Sequence, residues 1–203
     1  MPAMSFTRTI KKDWFKALSD DFHCLIGYSI AEWAEVERQL FAICWTALRC
    51  PLEQAAVVYA RTPTIDSRLR VITDLLNIIF PKPGSGGHRH KAFKRWEIVT
   101  KNITTLLPVR NRIAHHPTGN KVIMKPGPED AGGFSEIYLF EVFGLHLSDF
   151  DAVRGKHKEK PELYEADLAE HLAAVTKLRE ELLSFRRALV EHVGEPLPST
   201  TRA

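Results

Sequence analysis

The chain has 203 residues, of which 44% are hydrophobic and 26% are charged, and its formal net charge is +3. This length fits a single domain, and no apolar run approaches the roughly 18 residues that a membrane-spanning helix needs. The first residues lack a secretory apolar core. Three cysteines without a C-x-x-C pair argue against a disulfide framework or a zinc site. We therefore expect a cytoplasmic protein that has no membrane span and needs no metal or cofactor.

Apolar residues at helical spacing fill the first part of the chain. One long pattern runs through residues 14–49, where Asp20 and Asp21 suggest a break between a short helix and a long one. A short helix is predicted over residues 51–58. The clearest helix follows over residues 65–79, and Pro81 ends it.

Residues 81–87 have the composition of a flexible linker, and a further helix is predicted over residues 91–115. Pro108 lies inside that helix, where a proline is expected to produce a kink. Pro117 and Gly119 then stop the helical pattern.

Residues 120–145 lose the helical spacing and predict a β-hairpin with a long loop. A last helix is predicted over residues 163–193, and residues 194–203 are expected to be a disordered tail. The fold class is therefore all-α. We predict one domain over residues 1–193, a bundle of four or five principal helices with a small hairpin inserted after the 91–115 helix. The hairpin should pack near the end of that helix, because two strands are not stable alone.

An arginine interrupts the apolar stripe of the 91–115 helix. Apolar residues recur three or four apart, and the spacing then places Arg110 where another leucine is expected; the stripe is Trp96, Val99, Ile103, Leu106, Arg110 and Ile113. A buried unpaired charge costs on the order of several kcal/mol of folding free energy. An arginine at such a position therefore needs an acidic partner or has a functional role. A sequence that breaks its own local pattern in this way indicates a functional site.

Two further polar residues lie beside this arginine. Asn111 and His115 are four apart and share one strip of the helix. The surroundings are basic, since residues 88–112 contain seven Lys and Arg against the single acid Glu97. A guanidinium, a carboxamide and an imidazole therefore lie near one helix end.

The hexapeptide Arg110-Asn111-Arg112-Ile113-Ala114-His115, near the end of a helix in a helical bundle, resembles the R-x4–6-H motif of the HEPN superfamily. Many members of that superfamily are ribonucleases. The resemblance covers the helical order of roughly residues 14–190, although its sharp part is this one hexapeptide. It implies an RNA partner, a homodimer with a composite site, and a role as a toxin or phage-defence effector with an antitoxin protein as a possible partner.

The predicted reaction is cleavage of RNA without a metal. His115 would accept the 2′-hydroxyl proton and, once protonated, donate to the leaving oxygen, which yields a 2′,3′-cyclic phosphate. Arg110 would hold the phosphate oxygens, and Asn111 would orient His115 or donate to the phosphate. These three are the predicted catalytic residues, and the predicted substrate-binding residues are Arg112, His116 and Lys101.

Two alternatives stay open. The same helix end can belong to a non-catalytic module that binds RNA or protein or supports dimerisation. Arg110 can instead be structural, paired with an acid of the first helix (Glu32, Glu35 or Glu37), while His115 caps its helix. A second match to the motif, Arg187–His192, lies on the last helix among surface charges and is interpreted as coincidental.

Overall fold

The computed structural model of the chain describes residues 12–82, 90–115, 118–126, 134–142 and 163–197, which are called the described residues. They form a helical bundle, which confirms the all-α class. The helices are α1 (Lys12–Leu48), α2 (Leu52–Ala60), α3 (Ile65–Ile79), α4 (Lys91–His115) and α5 (Glu165–Val193). Across the described ranges, none of the helices combines the length and the apolarity that crossing a bilayer requires. The predicted linker falls almost wholly on residues outside the described set, as do the last six residues of the predicted tail.

The first helix is continuous, so the predicted break near Asp20 and Asp21 is wrong. Both aspartates are exposed and follow the helix on its solvent side, where a carboxylate does not interrupt the backbone hydrogen bonds. The helix ends at Leu48, and Arg49 adopts a positive φ of 51° immediately after it. That left-handed residue turns the chain towards α2.

A capping box fixes the start of α3. The hydroxyl of Thr64 accepts from the backbone N–H of Ser67 at 3.1 Å, and the backbone N–H of Thr64 donates to the Ser67 hydroxyl at 3.1 Å. Two backbone donors that have no partner inside the helix are thereby satisfied. The cap places Asp66 in the first turn of α3, on the outside of the bundle.

The main hydrophobic core lies where α1, α3, α4 and α5 meet, and α1 and α5 share the most extensive interface. Trp96, Val99 and Ile103 contribute the predicted apolar stripe of α4, and each is at most 1% exposed. This packing holds α4 along its first three turns and leaves its last two turns near the edge of the core.

A second, smaller core supports the end of α4. Its buried members are Phe22 from α1, Ile113 from α4, Leu163 immediately before α5, and Leu168 in the first turn of α5. Because Ile113 belongs to this cluster, the helix turn that carries the predicted site is packed independently of the main core.

The predicted hairpin is present as two antiparallel strands, β1 (Thr118–Pro126) and β2 (Phe134–Val142), with Thr118 opposite Val142. A third strand that the sequence analysis did not predict, β3 (Leu163–Tyr164), pairs with the end of β2 and leads directly into α5. Since Leu163 also belongs to the second core, β3 joins the base of the hairpin to the bundle near the end of α4.

Candidate functional site

Arg110 lies at the edge of the bundle between α1 and α4. Its side chain is 29% exposed, and one guanidinium nitrogen lies 3.4 Å from the Oε1 atom of Glu37 on α1. The other guanidinium nitrogen donates to the Oδ1 atom of Asn111 at 3.2 Å. The arginine that interrupts the apolar stripe thus has an acidic partner. That partner is Glu37, one of the three acids that the structural alternative named.

Glu37 also forms an ion pair with a second arginine, Arg68. Its Oε2 atom accepts from Nη1 of Arg68 at 3.1 Å, and its backbone carbonyl accepts from the hydroxyl of Tyr59 at 3.2 Å. Arg68 is held further by a hydrogen bond to the carbonyl of Thr62 and by stacking 4.5 Å above the Tyr59 ring. One carboxylate therefore serves two guanidinium groups, which leaves this cluster with a net charge of +1.

The other two acids that were candidate partners of Arg110 have different partners. Glu32 accepts from Arg179 at 3.2 Å, and Glu35 accepts from the neighbouring Arg38 at 2.6 Å. Because Arg38 donates to it, the pKa of Glu35 is lowered from its ordinary value.

Asn111 and His115 line a common cleft on the outer side of α4. The cleft has a volume of about 430 Å³, and Asp66 of α3 and Thr104 of α4 also line it. His115 is exposed, as an acid or base that meets an external substrate must be. The predicted shared strip of Asn111 and His115 is thus present.

Arg110 and His115 line different depressions of the surface. Arg110 lines a groove between α1 and α4, together with Glu37 and Trp33. His115 lines the outer cleft, and Asn111 is the residue that touches both sites, through its hydrogen bond to Arg110 and its place in the cleft wall. One chain therefore does not place the guanidinium and the imidazole in the same depression.

The predicted substrate-binding residues have different environments. Arg112 lines the outer cleft but is only 6% exposed, so its side chain is far more enclosed than that of a residue on a solvated basic face. Lys101 is exposed and lies 14 residues before His115 on the same strip of α4, about 21 Å along the helix axis. His116 lies outside the described residues. The predicted roles of all three in binding RNA stay predictions.

The second motif match lies at the other end of the bundle. The ring of His192 is 5.4 Å from that of His90, which immediately precedes α4, and both rings pack on Phe80. Since α4 is 25 residues long, about 37 Å separates this end from His115. Arg187 and His192 are thus remote from the candidate site.

No metal centre is evident in the part of the chain that the structure describes. There, no three side chains of the His, Cys, Asp or Glu type lie together as a metal ion requires. The Nδ1 atom of His90 accepts a hydrogen bond from the backbone N–H of Ala92 at 3.2 Å.

A buried histidine that the sequence analysis missed lies behind the groove. The indole N–H of Trp33 donates to Nε2 of His171 at 3.0 Å, and His171 is 4% exposed. Burial lowers the pKa of His171 to about 4, so its ring is neutral at physiological pH. The spacing of α5 contained this signal, because His171 falls in its buried series: Leu168, His171, Val175, Leu178, Leu182, Phe185 and Leu189.

Ser29 is a second residue that the sequence analysis did not single out. It lies on α1 and is 0% exposed. Ser29 is among the residues that line the groove of Arg110, and its buried hydroxyl has no hydrogen-bond partner among the described residues. Asp66 was also missed, since a carboxylate in the first turn of a helix is ordinarily explained by the helix dipole.

Comparison of the chain with protein-family models, with curated protein sequences and with solved structures gave no match. Functional inference therefore depends on the residues and geometry described above.

Proposed function

We propose that the end of α4 is the active site of a metal-independent endoribonuclease of HEPN type. The observation that carries the proposal is the arrangement of three residues, in which Asn111 and His115 line one open cleft and Asn111 accepts a hydrogen bond from Arg110. An exposed imidazole can transfer a proton, and a carboxamide and a guanidinium can hold a phosphate.

The proposed reaction is an attack of the ribose 2′-oxygen on the adjacent phosphorus. His115 takes the 2′-hydroxyl proton, the 2′-oxygen bonds to phosphorus as the bond from phosphorus to the 5′-oxygen breaks, and the resulting His115 imidazolium donates that proton to the leaving oxygen. Arg110 stabilises the charge that accumulates on the non-bridging oxygens. The products are a 2′,3′-cyclic phosphate and a 5′-hydroxyl, so no metal or redox partner is needed.

A second copy of the chain completes the proposed site. Within one chain Arg110 and His115 line separate depressions, so one chain alone does not bring the guanidinium to the imidazole. A twofold dimer that apposes the two α4 ends would bring the arginine of one copy to the histidine of the other. The roles as a toxin or defence effector, and the antitoxin partner, rest on the family resemblance alone.

The test is cleavage of a ribo-oligonucleotide in the presence of EDTA. We expect a cyclic phosphate product, and we expect His115→Ala to lower the rate by at least about 100-fold. His23→Ala, which removes an exposed histidine of α1, is the matched control and should cleave like the wild type. Full activity of His115→Ala would remove the proposal.

Mixing two inactive variants tests the composite site. Arg110→Ala and His115→Ala should each be inactive, and their mixture should regain about a quarter of the wild-type activity, because half of the dimers then contain one intact site of two. Absence of any recovery, with heterodimers demonstrated, would place Arg110 and His115 of the same chain in each site.

One observation favours a second candidate function, that of a non-catalytic module that binds RNA or protein. The ion pair between Arg110 and Glu37 gives the arginine a structural partner, as expected if the helix end only binds. This candidate predicts that the purified wild type binds RNA or a protein without cleaving RNA, and that His115→Ala leaves binding unchanged.

A further inference from the structure

The groove between α1 and α4 is small, enclosed on one side, and mostly apolar. Its volume is about 160 Å³, well below the roughly 300 Å³ at which pockets for drug-sized ligands begin. Ile30 and Ala34 of α1 and Ile113 and Ala114 of α4 form its apolar walls, and Trp33 contributes an aromatic one. A single flat ring system is the kind of ligand that fits this space.

A residue at the wall of this groove carries a buried polar group without a partner. Ser29 is among the lining residues, and its hydroxyl is fully buried and makes no hydrogen bond to any described residue. Leaving such a group unsatisfied is unfavourable, so native structures usually supply a partner. An aliphatic occupant would leave the hydroxyl unsatisfied, whereas a ligand with polar atoms on its edge would satisfy it.

The indole of Trp33 is already fixed from behind. Its N–H donates to the buried His171, so the indole, which is 2% exposed, borders the groove without a free donor. The hydrogen bond to His171 therefore fixes the position of the Trp33 side chain before any ligand binds.

The groove ends at charged residues. Arg110 and Glu37 both line it, and the cluster that they form with Arg68 carries a net charge of +1. A ligand that carries a phosphate next to a flat ring would place the phosphate at Arg110 and the ring against Trp33, near Ser29.

From these observations we propose that the groove binds the nucleobase of the nucleotide whose phosphate contacts Arg110. This inference rests on the proposed function and deepens it, since it assigns a base-binding subsite. Ser29 would hydrogen-bond the polar edge of the base, and the apolar walls would cover its faces. The subsite would give the enzyme a base preference next to the cleaved bond.

The test is binding of the four nucleoside monophosphates to the full chain, followed by NMR, with inorganic phosphate as the reference ligand. We expect at least one nucleotide to bind at least about tenfold more tightly than phosphate. Ala34→Leu, which fills the groove, should abolish that gain. Ser29→Ala should weaken the preferred nucleotide by about three- to tenfold, as loss of one hydrogen bond does.

The control is Ala174→Leu, which makes the same change in a separate cleft between α4 and α5 and should bind like the wild type. Wild-type affinity of Ala34→Leu would overturn the proposal, as would nucleotides that bind no better than phosphate. A change in oligomeric state of Ala34→Leu with unchanged nucleotide binding would show instead that a second copy occupies the groove.

The two proposals fail in different ways. If His115→Ala cleaves RNA fully while Ala34→Leu loses nucleotide binding, the ribonuclease is wrong and the subsite remains. If His115→Ala is inactive while Ala34→Leu cleaves with the wild-type base profile, the subsite is wrong and the ribonuclease remains.

Discussion

Glu37 and Arg110 form the longer of two ion pairs that share one carboxylate, at 3.4 Å compared with 3.1 Å for Glu37 and Arg68. The Arg68 side chain is also the more buried of the two, 18% exposed against 29%. Glu37 is therefore bound mainly to Arg68, and Arg110 can exchange its acidic partner for a phosphate without leaving the carboxylate unpaired.

Glu37→Gln should strengthen RNA binding. The substitution removes the negative charge that competes with phosphate for Arg110, and a partly exposed ion pair contributes about 0.2–1 kcal/mol, or roughly 1.5- to 5-fold in affinity. Fluorescence anisotropy of a short labelled RNA at low salt measures the change. Glu35→Gln is the control, because Glu35 pairs with Arg38 on the surface. Weaker binding by Glu37→Gln, comparable with Arg110→Ala, would show that Glu37 instead positions the arginine.

The stability of the fold should decrease between pH 7 and pH 4 in a way that depends on His171. Burial lowers the pKa of this ring to about 4 in the folded state, whereas an unfolded histidine takes up its proton near pH 6.5. The unfolded state binds more protons in this window, so the free energy of unfolding falls as the pH is lowered, by about 1–3 kcal/mol in all. Above pH 7 the contribution of this group is constant.

Chemical denaturation of wild type and His171→Gln across this range measures that effect. Glutamine retains an acceptor for the Trp33 indole but does not titrate, so the difference between the two proteins isolates the histidine from carboxylates that titrate in the same range. Identical pH profiles would contradict the prediction. The ring resonances of His171 provide a second readout and should titrate near pH 4.

A substitution in the small core at the end of α4 should loosen that end of the helix more than the part that packs in the main core. Leu168→Ala removes a fully buried side chain from it and should cost about 2–5 kcal/mol. Amide exchange in the last turns of α4 should rise more than in its first turns, because Ile113 loses its packing partner. Leu182→Ala in the main core is the matched control. It should destabilise the protein similarly without this local pattern, and equal patterns would argue against two cores.

The three cysteines should differ in reactivity at pH 8. Burial raises the pKa of the Cys44 thiol to about 11, with a smaller contribution from nearby Cys50, whereas Cys24 is exposed. A thiol reagent should modify Cys24 rapidly in the folded protein and Cys44 only after unfolding, as peptide mass analysis can show. Cys24→Ser provides the control, since the fast reaction should disappear with it. Rapid modification of Cys44 would show that its helix opens readily.

Much of the fold followed from local pattern. The apolar spacing predicted α4 with the bounds that the structure has, and it predicted α3 and the hairpin closely, because helices and strands expose their periodicity directly in the chain. The pattern was wrong at Asp20 and Asp21, where two exposed acids on a continuous helix resemble a helix break. It also missed β3, since two residues are too few to show a period.

The sequence alone showed that Arg110 interrupts the apolar spacing of its helix and that Asn111 and His115 share one strip. Both facts depend on spacing within a single helix. Tertiary structure decided which acid faces Arg110, that Asp66 joins the cleft of His115, and that Arg110 and His115 line different depressions. It likewise paired Trp33 with His171 across 138 residues and left the buried Ser29 hydroxyl without a hydrogen-bond partner among the described residues. Those relationships join residues distant in the chain, and only the packing of α1, α3 and α5 against α4 brings them together.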